Sequence, residues 1–151
     1  MIKCFEQFIN ETSFRISDNT LIFTKGDEEI GGLTFNVSSI SEIESEYSDS
    51  VEDFDPNVLN RFYPNKPVVN IEDIWVNRKY QGLGYFRDEL KLGMDYLTAK
   101  YSQFILRACS DNNFPEKKLV EIYQEFGFEP YQETESDGTI MFRNKISPII
   151  G

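Results

Sequence analysis

The chain has 151 residues, 40% of them apolar and including 13 Phe and 8 Tyr, which suffices for one packed core and is too little for two. A net charge of −11 sets the protein against phosphate backbones, so cationic partners are expected rather than nucleic acid. The lack of any histidine excludes Ser/His and Cys/His triads and nearly all zinc chemistry, and it leaves carboxylates as the candidates for a general base.

In chain order, residues 1–37 alternate apolar and polar positions in short runs: Phe5, Phe8 and Ile9, then Phe14 and Ile16, then 21–24 and 30–37. This predicts an antiparallel meander with a hairpin turn at 25–29. The spacing over 2–9 fits a short helix as well as a strand. Residues 38–66 differ in kind. Seven carboxylates (Glu42, Glu44, Glu46, Asp49, Glu52, Asp53, Asp55) precede the first basic residue, Arg61. Such a run predicts a solvated loop, and the same charges would form an acidic rim for a cationic substrate. Asp55 and Pro56 predict a cap and a short helix over 56–62, after which Pro64 and Pro67 return the chain to extended form.

Val68–Val76 is an apolar, β-branched strand with Glu72 and Asp73 in its middle. Strand alternation sends these two to opposite faces, so one is expected away from ordinary solvent. A polar turn with Gly82 and Gly84 opens into a helix whose stripe is Phe86, Leu90, Met94, Leu97 and Tyr101, with Gly93 predicting close packing on the sheet. Residues 104–108 read as a buried strand. Pro115 starts a second helix with the stripe Leu119, Ile122, Tyr123 and Phe126, which Gly127 closes with Phe128 packing back. Residues 128–133 and 139–143, around Ser136, Asp137 and Gly138, predict a terminal β-hairpin, and 144–151 a tail. Cys4 and Cys109 form neither a metal spacing nor a disulfide framework. With no leader and no long apolar run in this reading, one cytoplasmic domain over 1–151 is expected, with no membrane partner.

A strand feeding a glycine turn that feeds a helix leaves first-turn backbone N–H groups pointing outward, a seat for phosphate or pyrophosphate. A P-loop would need a lysine followed by Ser or Thr, and a dinucleotide fingerprint a third glycine near Arg87 and a further βαβ unit; the chain has neither. The run Val76-Asn77-Arg78-Lys79-Tyr80-Gln81-Gly82-Leu83-Gly84 instead resembles the acetyl-CoA-binding motif of the GNAT superfamily of N-acetyltransferases, a strand ending in Val and then [QR]-x-x-G-x-[GA]. Gln81 and Gly84 match, while Phe86 stands at the last small position. Tyr123-Gln124-Glu125-Phe126-Gly127-Phe128 is similar to the family's second signature, Y-x-x-x-G-F. By element order the resemblance covers residues 20–143. The family's pair of helices after its first strand has no counterpart in this reading, and 38–66 stands where the family often has a tight hairpin. The C-terminal half is also similar to compact acetyltransferases encoded by phages, an anti-CRISPR type among them.

The resemblance implies an α/β fold whose mixed, mostly antiparallel central sheet is splayed between its fourth and fifth strands, flanked by helices and closed by a β-hairpin. It implies direct, metal-free transfer of an acetyl group from acetyl-CoA to a primary amine: a protein lysine or N-terminus, or a small cationic molecule. Acetyl-CoA contacts fall on Ile74, Trp75 and Val76 along the strand and on Gln81, Gly82, Leu83, Gly84, Tyr85, Phe86 and Arg87 at the turn, flanked by Arg78 and Lys79. Glu72, and after it Asp73, are the candidates for the base that takes the amine proton; simple pairing with a basic neighbour is the plainer reading of either. Tyr123 matches the family's general acid, and it also fits as a core aromatic of its stripe. Cys109 as an acetyl-accepting nucleophile ranks far below direct transfer, since no histidine can activate it. The contrasting function is an inactive acidic protein of the same fold that occupies a partner's basic surface, and a homodimer is compatible with either.

Overall fold

In the computed structural model, residues 12–81, 84–110 and 114–144 are described. The expectations at Cys4, Phe5, Phe8, Ile9, Gly82, Leu83 and residues 145–151 lie outside the described residues.

Strands β1 (Thr12–Ser17), β2 (Thr20–Lys25) and β3 (Glu28–Ser38) form the antiparallel meander, with Gly26 at φ +63° in the β2–β3 turn. Helix α1 (Ile40–Ser50) and a 3-10 turn (Pro56–Arg61) lead to β4 (Val68–Val76). A second 3-10 turn (Arg78–Tyr80) precedes α2 (Tyr85–Thr98), followed by β5 (Gln103–Ala108), α3 (Glu116–Glu125), β6 (Glu129–Glu133) and β7 (Thr139–Asn144). Among the described residues the sheet order is β1-β2-β3-β4-β5-β7-β6, and the single parallel pairing is β4 with β5.

Each sheet face carries its own core. On one, Leu90, Met94 and Leu97 of α2 pack on Leu21, Phe23 and Leu33. Gly93 lets the helix close in, because a Cβ there would stand 2.9 Å from Leu33 Cδ1. On the other, Ile43 and Tyr47 of α1 join Val58, Phe62, Ile105 and Phe142. Helix α3 ends in a paired C-cap: Gly127, at φ +90°, donates its N–H to Gln124 O, and Phe128 donates to Tyr123 O at 3.2 Å.

Three expectations need correction. The carboxylate-rich stretch is not a loop over residues 40–50. Ser39 and Glu42 form a reciprocal capping box at its start, and Ile43, Tyr47 and Val51 give the helix an apolar stripe. The carboxylates line the other side, where charge density hides the helical period from a composition reading. Second, Glu72 and Asp73 do not split between a wet and a dry face; both are exposed. A β-bulge is the cause: Thr34 stands opposite Asp73 and Phe35 opposite Ile71, so Glu72 has no partner residue and the alternation slips by one. Third, Asn144 belongs to β7 rather than to a tail, and its side-chain amide donates to Arg61 O.

Among the described residues no helix is long and apolar enough to cross a membrane, and no group of Cys, Asp and Glu could hold a metal ion.

Candidate active site

The β4–β5 pairing holds for three residue pairs, Val69 with Phe104, Asn70 with Ile105 and Ile71 with Leu106, and then stops. Beyond it the strands part. Asn77 N–H bonds to Ile30 O on β3 at 2.7 Å, so by ladder alternation Trp75 also turns its backbone to β3, while Ile74 and Val76 turn theirs to the gap. The Trp75 indole lies over Gly32.

A cleft of about 470 Å³ fills the gap. Glu72, Asp73 and Ile74 line it from β4, Arg107 from β5, Tyr123 from α3 and Glu46 from α1. The predicted base and acid candidates thus share one cavity. Glu72 is held there, its Oε2 accepting from Asn36 Nδ2 at 2.7 Å, while Asn36 Oδ1 accepts from Ser38. Tyr123 is buried, edge-on to Phe86 and Phe128. Cys109 also borders the cleft, but burial pushes its thiol pKa up, which favours the unreactive neutral form.

A second cavity of about 280 Å³ adjoins the turn into α2, lined by Val76, Gln81, Gly84, Tyr85, Phe86 and Arg87 among others. Gly84, at φ +82°, is the N-cap of α2, and a Cβ built on it meets nothing within 4 Å, so the space over the helix start is open. Gln81 turns inward and donates from Nε2 to Val76 O at 2.9 Å, tying the turn to the strand end. Phe86 borders both cavities and is buried against Phe114 and Tyr123. A small residue at that position would leave this aromatic cluster without its centre. Tyr85 accepts a hydrogen bond from Lys25 at 2.7 Å. Arg87 is clamped to Glu125 by two bonds of 2.9 and 3.0 Å, which join α2 to α3.

Sequence reading missed several cleft residues. Tyr47 donates to Asn70 Oδ1 at 2.9 Å, Asn70 Nδ2 donates to Glu46 at 3.2 Å, and this chain docks α1 over β4. Desolvation holds the Tyr47 phenol far above its ordinary range. The signal was the four-residue spacing of Ile43, Tyr47 and Val51. Arg107, a lone cation within a buried apolar strand, was legible as an oddity, and Lys118 of α3 borders the turn cavity.

No protein-family model and no curated protein matches the chain. Solved structures do. PH1933 from Pyrococcus horikoshii superposes with a TM-score of 0.58 at 19% identity, over 85% of this chain and 66% of that one. Naa50 of Arabidopsis thaliana, in complex with the bisubstrate analogue CoA-Ac-MVNAL, gives a TM-score of 0.54 at 14% identity, over 84% of this chain and 73% of its own. The PaiA N-acetyltransferase of Thermoplasma acidophilum, in complex with coenzyme A, gives 0.51 at 11% identity, over 83% and 59%. The chain therefore spans just under two thirds of the first of these structures and less of the third. Strand order, the single parallel pairing and the parting of β4 from β5 agree with these likenesses: the chain has the fold of the GNAT acetyltransferases.

Proposed function

We propose that this protein is an acetyl-CoA-dependent N-acetyltransferase that acts on a primary amine carrying positive charge. One observation carries the reading: the free β4 edge at Ile74 and Val76 faces a cleft that holds both a carboxylate pair and Tyr123, and it adjoins the open turn at Gly84. Naa50 and PaiA, which share the fold, are held with a CoA conjugate and with coenzyme A, and this supports the choice of donor.

In this reading the diphosphate of acetyl-CoA lies at the start of α2, where backbone N–H groups and the helix dipole favour an anion. Lys118 adds positive charge beside it. Arg87 contributes only by releasing Glu125. The free strand edge receives the pantetheine amides, and an N–H there stabilises the oxyanion. Glu72, or Asp73 beside it, takes the proton of the ammonium, directly or through water. The neutral nitrogen then bonds to the thioester carbonyl carbon, the C–S bond breaks, Tyr123 gives its proton to the leaving thiolate, and the second proton shed by the acylated nitrogen restores the phenol through water. No metal and no nucleic acid take part, and the reaction belongs to the cytoplasm.

The test is calorimetric titration with acetyl-CoA and with CoA, on the wild type and on Gly84→Leu. Micromolar binding that the variant loses while staying folded is expected. A wild type that binds neither ligand at millimolar concentration would leave an acidic binding protein as the better reading.

A further inference from the structure

The cleft is not uniformly acidic. Its β4 and α1 walls carry Glu72, Asp73 and Glu46, and the β5 wall facing them carries Arg107. The two glutamates are spoken for: Glu72 is bonded by Asn36 and Glu46 by Asn70, each on its own side of the gap. Arg107 is held less firmly. Among the described residues its ionic contact is Asp137, at 3.7 Å, which is beyond hydrogen-bond length. A guanidinium has five N–H donors in a planar fork matched to a carboxylate, so Arg107 keeps donors to spare. Its side chain is 34% exposed on a strand whose neighbours Leu106 and Ala108 are buried, so the exposed part lies at the cleft.

We propose that the acceptor is a small zwitterion, an amino acid whose ammonium group lies toward Glu72 and Asp73 and whose carboxylate is bound by Arg107. This rests on the acetyltransferase reading above and narrows it. A simple diamine fits the acidic wall equally well but would bring its second ammonium toward a guanidinium. The same arginine therefore attracts one class of amine and repels the other. Asp137, at 3.7 Å, offsets part of the guanidinium charge without saturating its donors.

The experiment is CoA release with a panel of free amino acids, their carboxamides, and diamines such as cadaverine, with acetyl-CoA binding measured in parallel. The carboxamide removes the charge that Arg107 would read and also acidifies an α-ammonium group, so kcat/KM for each compound is referred to its own concentration of neutral amine. We expect kcat/KM for at least one free amino acid to exceed that for its carboxamide by about tenfold or more, the size of one charge-assisted contact. Arg107→Met should erase that ratio, mainly through KM for the amino acid, and Arg107→Lys should restore part of it. Equal or faster turnover of the carboxamides or diamines overturns the proposal, as does a silent amino-acid panel from a protein that binds acetyl-CoA. An Arg107→Met variant that keeps the ratio reduces Arg107 to a structural ion pair and overturns it as well. Failure to bind acetyl-CoA at all sinks the underlying enzyme reading, and that outcome is distinct from the others.

Discussion

The carboxyl group of Glu89 occupies the space that a side chain on Gly31 would fill: a Cβ there would overlap Glu89 Oε2 and the Trp75 carbonyl. Glu89 is fully buried, and neither of its oxygens has a hydrogen-bond partner among the described residues. Desolvation, with a smaller contribution from neighbouring Asp88, pushes its pKa from an ordinary 4.5 up to about 9. The folded protein therefore keeps a proton at neutral pH that the unfolded chain releases. Stability linked to this proton is complete below pH 4.5 and is lost as pH rises toward 9, by at most about 1.4 kcal/mol per pH unit. Urea melts at pH 6, 7 and 8 should show the wild type losing stability relative to Glu89→Gln, which cannot titrate. Parallel pH profiles for the two proteins would mean that Glu89 is hydrated or paired.

The same contact makes a second forecast, for the strand rather than the helix. Gly31→Ala must displace both a backbone carbonyl on β4 and the Glu89 side chain, and only the latter can move cheaply. A loss of about 2 kcal/mol is expected, in the range of overpacked cores. Combining it with Glu89→Ala should recover only part, because Trp75 O remains in place. Full recovery in the double variant would show that the carbonyl is no obstacle.

What could be read beforehand follows from which forces are local. The described strands, the α2 stripe from Phe86 to Leu97, the α3 stripe at Leu119, Ile122 and Tyr123 and the Gly127 cap depend on residues close together in the chain and stand where the residue pattern predicts, while Tyr101 falls past the end of α2 at Thr98. The site was legible in its parts for the same reason: the turn at Gln81 and Gly84 and the motif at Tyr123 are short and contiguous. Three features depended on partners far along the chain. Helix α1 draws its stability from Ile43 and Tyr47 meeting Val58, Ile105 and Phe142, none of which its own acidic sequence announces. The bulge at Glu72 is a property of two strands in register, so single-strand alternation sends one carboxylate to the wrong face. Glu89, a charged residue between Asp88 and Leu90 on an otherwise amphipathic helix, reads as solvated until Gly31 and Trp75 are seen above it.

The hydroxyl of Tyr47 is a test of how α1 is attached. It donates to Asn70 Oδ1, and Asn70 is itself only 4% exposed. Tyr47→Phe keeps the ring against Phe54 and removes the one donor, leaving a buried amide oxygen without a partner. Destabilisation of about 1–3 kcal/mol is expected. Amide exchange should quicken along α1 before it does along β2 and β3. A uniform change across the sheet would argue that α1 unfolds only with the whole domain.

The two proposed proton carriers can be separated by their dependence on pH. A lysine-like ammonium has an ordinary pKa near 10.4, so at neutral pH almost every acceptor molecule arrives protonated and needs a base. Replacing Glu72 by Gln should lower kcat/KM by about 10²-fold at pH 7. The deficit should shrink as pH rises toward 10 and the amine loses its proton unaided. Asp73→Asn should leave the neutral-pH rate within a few-fold if Glu72 is the base, and the roles exchange if the pattern is reversed. Tyr123→Phe is different in kind. Its deficit, also about 10²-fold in kcat at pH 7, should not close through a rise in the variant's own rate as the acceptor amine loses its proton, since a neutral amine supplies nothing to the leaving thiolate. The ring contacts with Phe86 and Phe128 survive the substitution, so the fold and acetyl-CoA binding should hold. A Tyr123→Phe enzyme at full rate would return this residue to the aromatic core, and carboxylates that proved equally dispensable would leave the proton transfers to water.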